Sequence, residues 1–205
     1  MPARNALKQY VDEGVYHIYN RGVNKEEIFR DHADYGVFLG MLKRLLGPQI
    51  EKDKKGEPYL NFYLRIELNS YCLMPNHFHL MIYQHNSSDM ESFMRSLCTS
   101  YSKYFNKKYN RVGHMFQGRY QAVLVGNENY FKYLSKYIHL NPLRWSEWEF
   151  SSIHNYLGSR VNEWVFPSRV LEAFDSIDSY KKFLSDDIYP LRFAEECTAE
   201  DSPAN

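Results

Sequence analysis

The hydrophobic positions change period several times along the chain, and each period predicts an element. Residues 15–21, Val15-Tyr16-His17-Ile18-Tyr19-Asn20-Arg21, are rich in β-branched and aromatic side chains and predict a strand that Gly22 ends. Leu39, Leu42 and Leu45-Leu46 recur at three- and four-residue steps and predict a helix over 34–46, stopped by Gly47-Pro48. Residues 52–58 form a polar turn. Residues 59–73 read as one long or bent strand, Met74-Pro75-Asn76 as a turn, and 77–83 as the second strand of a hairpin. Ser88 and Glu91 have the Ser-x-x-Glu form of a capping box. It opens a helix to about Tyr109 with Phe93, Met94, Leu97, Tyr101, Tyr104 and Phe105 on one stripe. Residues 119–125 predict a strand, and Asn127 caps a helix that must end by Asn141 because Pro142 follows. Trp145, Trp148, Phe150, Tyr156 and Leu157 are able to pack, and Tyr180, Phe183 and Leu184 mark one last helix. The order β-α-β-β-α-β-α is that of an α+β fold: a mainly antiparallel sheet with helices packed on one face.

Composition narrows the class. With 205 residues, 17% aromatic and a formal net charge of zero, the chain is not a disordered one. One domain of about 150–190 residues with short tails is expected, large enough to bury a core without disulfides. Cys72, Cys98 and Cys197 form no CxxC pair, which speaks against a disulfide scaffold or a cysteine-rich zinc site. No apolar run approaches the roughly 18–20 residues that span a bilayer, and a cytoplasmic setting is expected. The zero net charge is an average: residues 95–144 carry +8, residues 145–205 carry −7. Such asymmetry suits either a polyanion-binding face or a solvated helix surface. The segments expected are a tail over 1–11, a core over 12–144, a helical extension over 145–193, and an acidic, disordered tail over 194–205.

Two groups of residues carry candidate chemistry. In a strand, side chains alternate with period two, so His77, His79, Met81 and Tyr83 share one face and Phe78, Leu80 and Ile82 the other. Two imidazoles at i and i+2 on a rigid strand suit two ligands of one divalent metal, and equally suit hydrogen-bonded surface residues. No third His, Cys or carboxylate lies at short spacing, so a third ligand must come from elsewhere. In the helix after Asn127, Tyr137 and Asn141 stand at i and i+4 on one face. A phenol there can act as nucleophile while the amide oxygen meets a hard cation; the same residues also suit a core aromatic and a helix end before proline. Lys132 and Lys136 lie on the neighbouring face, which suits a phosphate backbone, and His139 lies well round the helix.

Three motifs appear in order: Pro75-Asn76-His77-Phe78-His79, Met115-Phe116-Gln117-Gly118-Arg119-Tyr120, and Tyr137-Ile138-His139-Leu140-Asn141-Pro142. Together they resemble the single-tyrosine HUH transposases with an insertion-sequence-200-like domain, most closely the REP-associated tyrosine transposases. Residues 16–22 and 28–31 share the likeness, which covers roughly 12–160. The resemblance implies a ferredoxin-like or RRM-like HUH core and a metal-dependent transposase that cleaves and rejoins single-stranded or hairpin DNA through a 5′-phosphotyrosine. Tyr137 would be the nucleophile. His77, His79 and Asn141 would hold Mg²⁺ or Mn²⁺.

Given that chemistry, the basic block becomes a candidate DNA surface, with Arg21, Lys103, Gln117, Arg119, Tyr120, Lys132, Lys136 and Arg144 as contacts to phosphates, base edges or stacked bases. A monomer and a homodimer are both open. Two rival classes are a single-stranded nucleic-acid-binding protein without catalysis and a zinc-dependent hydrolase using His77 and His79.

Overall fold

The computed structural model describes residues 10–186. The 194–205 tail, most of the 1–11 segment and Cys197 lie outside them. Four strands form one antiparallel sheet in the order β2-β3-β1-β4. They are β1 (Gly14–Arg21), β2 (Ile66–Met74), β3 (His77–Gln84) and β4 (Gln121–Leu124). The long helices are α1 (His32–Leu46), α2 (Asp89–Lys108) and α3 (Glu128–Leu140), followed by α4 (Ile153–Tyr156), α5 (Ser168–Leu171) and α6 (Ile177–Ser185).

The period-two pattern sorts the sheet into two faces. Ile18, Phe78, Leu80 and Ile82 pack with Phe38, Leu97 and Tyr101 of α1 and α2 into one core. Cys72 and Met81, on the other face, pack with Leu134 and Ile138 of α3 and with Tyr156, Tyr180 and Leu184. Helices therefore cover both faces. The helical layer expected from the sequence is α1 and α2; the second layer arises because α3 folds back across the face that carries the histidines. β1 ends before Gly22, where any Cβ would collide with the Glu26 carbonyl oxygen.

Several boundaries differ from the sequence reading, each for a local reason. Residues 59–65 are not strand. Asn61 turns the chain instead, its Oδ1 accepting from Tyr63 N (2.8 Å) while Nδ2 donates to the Arg44 and Gly47 carbonyls at the end of α1. The ladder between β2 and β3 shifts register between Leu68 and Ser70. That bulge lets Ile66 and Leu68 share a face with Tyr71 and Leu73, an odd step that an unbroken strand forbids. Ser88 makes no capping bond; its neighbour Asp89 pairs with Arg65 instead. β4 starts at Gln121, later than expected, where Asn20 Nδ2 takes the Gly118 carbonyl (3.2 Å) and interrupts the ladder. Asn127 does cap α3, its Oδ1 accepting from Tyr130 N at 2.8 Å.

Residues 145–186 close the β2 edge. Leu73 N donates to Phe150 O, Ser152 N to Tyr71 O and Phe166 N to Leu68 O, all at 2.8–3.0 Å. The edge strand thus keeps few open backbone groups. Phe150 stacks on Tyr35 with ring centroids 3.8 Å apart. Among the described residues no helix is long and apolar enough to cross a membrane.

Candidate active site

β1 and β3 lie side by side at the centre of the sheet, with Tyr19 opposite His79 and Arg21 opposite His77. His17, Tyr19, His77 and His79 therefore project from the same face. α3 crosses this face, placing the Tyr137 ring 5.3 Å from that of His79 and 5.9 Å from that of His17, both edge-on. One turn later Asn141 Oδ1 stands 3.1 Å from His77 Nε2. The strand pair and the helix pair singled out in the sequence meet at one point.

With the protons of His77 and His79 assigned to Nδ1, each imidazole has its Nε2 lone pair available. His77 Nδ1 donates to Asn76 Oδ1 at 2.6 Å, which leaves Nε2 as an acceptor. Nε2 then faces the Asn141 amide oxygen at 3.1 Å, and with the proton on Nδ1 a cation would fit between the two lone pairs. His79 Nδ1 is 2.9 Å from His17 Nε2. His79 Nε2 is buried and has no hydrogen-bond partner among the described residues, an arrangement that a bound ion or water would complete. Burial, and then the neighbouring His77 and His17, hold the His79 imidazole well below its usual pKa; burial alone pushes His17 down to about 3. Both rings are therefore neutral, with a lone pair to offer. Two imidazole nitrogens and an amide oxygen suit a divalent cation of intermediate to hard character. Among the described residues no group of three or more His, Cys, Asp or Glu side chains is placed to hold a metal ion, so the third donor here is the Asn141 amide. Sequence reasoning missed two supporting residues, His17 and Asn76. The only signal for them was their position beside the motif residues.

The candidate DNA contacts scatter. Arg21 Nε donates to Gln117 Oε1, and Gln117 N to Arg21 O at 3.0 Å, so this pair flanks the His77 end of the site. Arg119 is exposed. With Tyr120, Tyr10, Asn20 and Phe116 it lines a cavity of about 560 Å³. Tyr120 packs against the α1/α2 core and its hydroxyl is 2.7 Å from that of Tyr10. Lys103 is exposed on α2, in the layer across the sheet from His79. Lys132 pairs with Glu128 at 3.0 Å and Arg144 with Glu147. Lys136 does not face a phosphate backbone. It is 1% exposed, and its Nζ donates to the carbonyls of Phe183 (2.7 Å) and Asp186.

Nor is the +8 block an open basic strip. Among the described residues Arg95, Lys108, Arg111, Lys132 and Arg144 form ion pairs, mostly with carboxylates from outside the block. Lys103, Lys107 and Arg119 form none.

Residues 62–141, which contain the histidine pair, Tyr137 and Asn141, match the family model described as "Transposase IS200 like". Over those residues the chain is similar to that family. The fold resembles that of a REP-associated tyrosine transposase solved bound to a REP hairpin, with a TM-score of 0.55, 15% identity, and coverage of 82% of this chain and 93% of that one. A second solved structure, named for a transposase of Deinococcus radiodurans R1, aligns with a TM-score of 0.40 and 14% identity over 66% of this chain and 95% of that one. No curated protein matches the sequence. The matched residues take in β2, β3, α2, β4 and α3, while β1, which supplies His17, precedes them.

Proposed function

We propose that this protein is an IS200-like transposase that cleaves and rejoins single-stranded DNA, with Tyr137 as the nucleophile and a divalent ion, Mg²⁺ or Mn²⁺, held by His77 Nε2, His79 Nε2 and Asn141 Oδ1. The observation that carries the proposal is the buried, unpartnered His79 Nε2, on a ring whose centre is 5.3 Å from that of Tyr137 and 4.9 Å from that of His77, the imidazole that Asn141 meets. A bound ion would polarise a phosphate oxygen and offset charge developing on the phosphate.

The chain's own residues do the rest. The Tyr137 oxygen attacks the scissile phosphorus, the P–O3′ bond breaks, and a 3′-hydroxyl leaves while the 5′ side stays on the tyrosine. One phosphodiester is exchanged for another, so an incoming 3′-hydroxyl can reverse the step and join strands without an energy source. Asn76 and His17 orient the two imidazoles, and Arg21 with Gln117 flanks the His77 end, where a phosphate can be met. Hairpin DNA is the proposed partner, in line with the hairpin bound by the structurally similar REP-associated transposase.

The test is to incubate labelled single-stranded hairpin DNA with the protein and Mg²⁺ or Mn²⁺, then run a denaturing gel. A covalent adduct lost in Tyr137→Phe supports the proposal. An adduct that persists in that variant overturns the nucleophile assignment. Tight salt-sensitive binding with no adduct would point to a binding module instead.

A further inference from the structure

The back of the tyrosine helix is unusual in being both buried and polar. Ser135 and His139 each lie two residues from Tyr137, about 200° round the helix, so they face away from the sheet histidines. Lys136 flanks them. All three are at most 1% exposed. Each is engaged by α6 or by the turn before α4. Tyr180 Oη is 2.7 Å from His139 Nδ1 and donates to Ser135 Oγ at 3.2 Å. His139 Nε2 is 2.8 Å from Ser152 Oγ, which in turn accepts from Tyr71 N of β2 at 2.8 Å. The Lys136 ammonium donates to the Phe183 and Asp186 carbonyls and sits 5.1 Å from the centre of the Phe183 ring. Carbonyls in the last turn of a helix lack internal partners and carry the negative end of its dipole, so a cation fits there.

Apolar ridges alone tolerate a slide of one helix along another. Buried hydrogen bonds do not, because a shift of one turn, about 5.4 Å, leaves every donor and acceptor unpaired in the interior. The same slide would carry Tyr137 and Asn141 off the histidines.

We propose that α6 is a latch that fixes the register of the tyrosine helix, and that Lys136, His139 and Tyr180 are positioning residues for Tyr137 and Asn141. They act through α3 from the side opposite the site and touch no substrate. The latch rests on the reading of Tyr137 as nucleophile only for its consequence in activity; its structural effect can be read separately.

The experiment uses Lys136→Met and Tyr180→Phe in the full chain. The second removes a single hydroxyl, and it carries the test if the first fails to fold. Amide hydrogen exchange is followed in α3 and in the sheet, hairpin DNA affinity is measured, and adduct formation is timed at saturating DNA. The latch predicts at least tenfold faster exchange across α3 with sheet and α2 amides unchanged. It also predicts an adduct rate lowered at least tenfold and hairpin affinity within twofold of the parent. Unchanged α3 exchange, or equal acceleration in every element, overturns the latch. Faster α3 exchange with an unaltered adduct rate overturns the positioning role. A parent protein that forms no adduct refutes the nucleophile assignment instead, and the exchange comparison still decides whether α6 holds the helix.

Discussion

Replacing His17 with leucine removes the acceptor that faces His79 Nδ1 at 2.9 Å while filling a similar volume. Two effects follow from the geometry. The His79 Nδ1–H is left buried without a partner, which costs about 1–3 kcal/mol of stability. The imidazole also loses the bond that places its proton on Nδ1 and its lone pair on Nε2. Supporting bonds of this kind typically govern metal affinity by 10–100-fold, equivalent to about 1.4–2.7 kcal/mol. Calorimetric titration of the protein with Mn²⁺ reads the second effect, and urea denaturation the first. His17→Gln, whose amide oxygen can accept from Nδ1–H, should recover part of the affinity. If His17→Leu binds Mn²⁺ within twofold of the parent, the argument that His17 sets the His79 tautomer is refuted.

Other consequences are open to direct measurement. Asn141→Ala should weaken Mn²⁺ binding at least tenfold while hairpin affinity stays within threefold, since its amide oxygen faces His77 Nε2 and not the surface; unchanged Mn²⁺ affinity would remove Asn141 from the ligand set. Arg119→Ala should flatten the dependence of log K for single-stranded DNA on log salt by about 0.7, the contribution of one phosphate contact, whereas Arg111→Ala, already paired with Glu26, should leave it unchanged. Acid stability should depend on Asp34. Burial raises its pKa, but hydrogen bonds from Lys108, the Arg30 amide, Tyr109 and Tyr104 outweigh that and hold the carboxyl below its usual range. A carboxyl depressed in the folded state contributes stability that is present at neutral pH and lost as pH falls below the ordinary carboxylate range. Lys108→Met should therefore destabilise the protein at pH 7 and flatten the loss between pH 4 and pH 3, as followed by urea denaturation.

How far the fold could be read in the sequence depended on how local each cause was. The α1 leucines, the α2 stripe and the Asn127 cap are governed by neighbours within a few residues, and these elements lie where the pattern puts them. Period two alone dictates that His77 and His79 share a face, and a four-residue step that Tyr137 and Asn141 do. The Asn69 bulge shows in the odd step between Leu68 and Tyr71, but only once the β3 register is known. Lys136 could not be placed, because a helical wheel gives a face and not what packs on it. Its partners belong to α6, nearly fifty residues later. Charge misled for the same reason: Lys108 and Arg111 are neutralised by Asp31, Asp34 and Glu26, which fall outside the basic block. His17 carries no mark of its own beyond its strand. Only pairing of β1 with β3 brings it to His79.

The central claim is that Tyr137 becomes joined to DNA through its phenolic oxygen. The most direct test is to trap the protein with single-stranded hairpin DNA and Mn²⁺, digest both, and locate the nucleotide-bearing peptide by mass spectrometry. A 5′-phosphonucleotide on Tyr137 is the predicted result. The same modification on another tyrosine, Tyr19 included, would contradict the account.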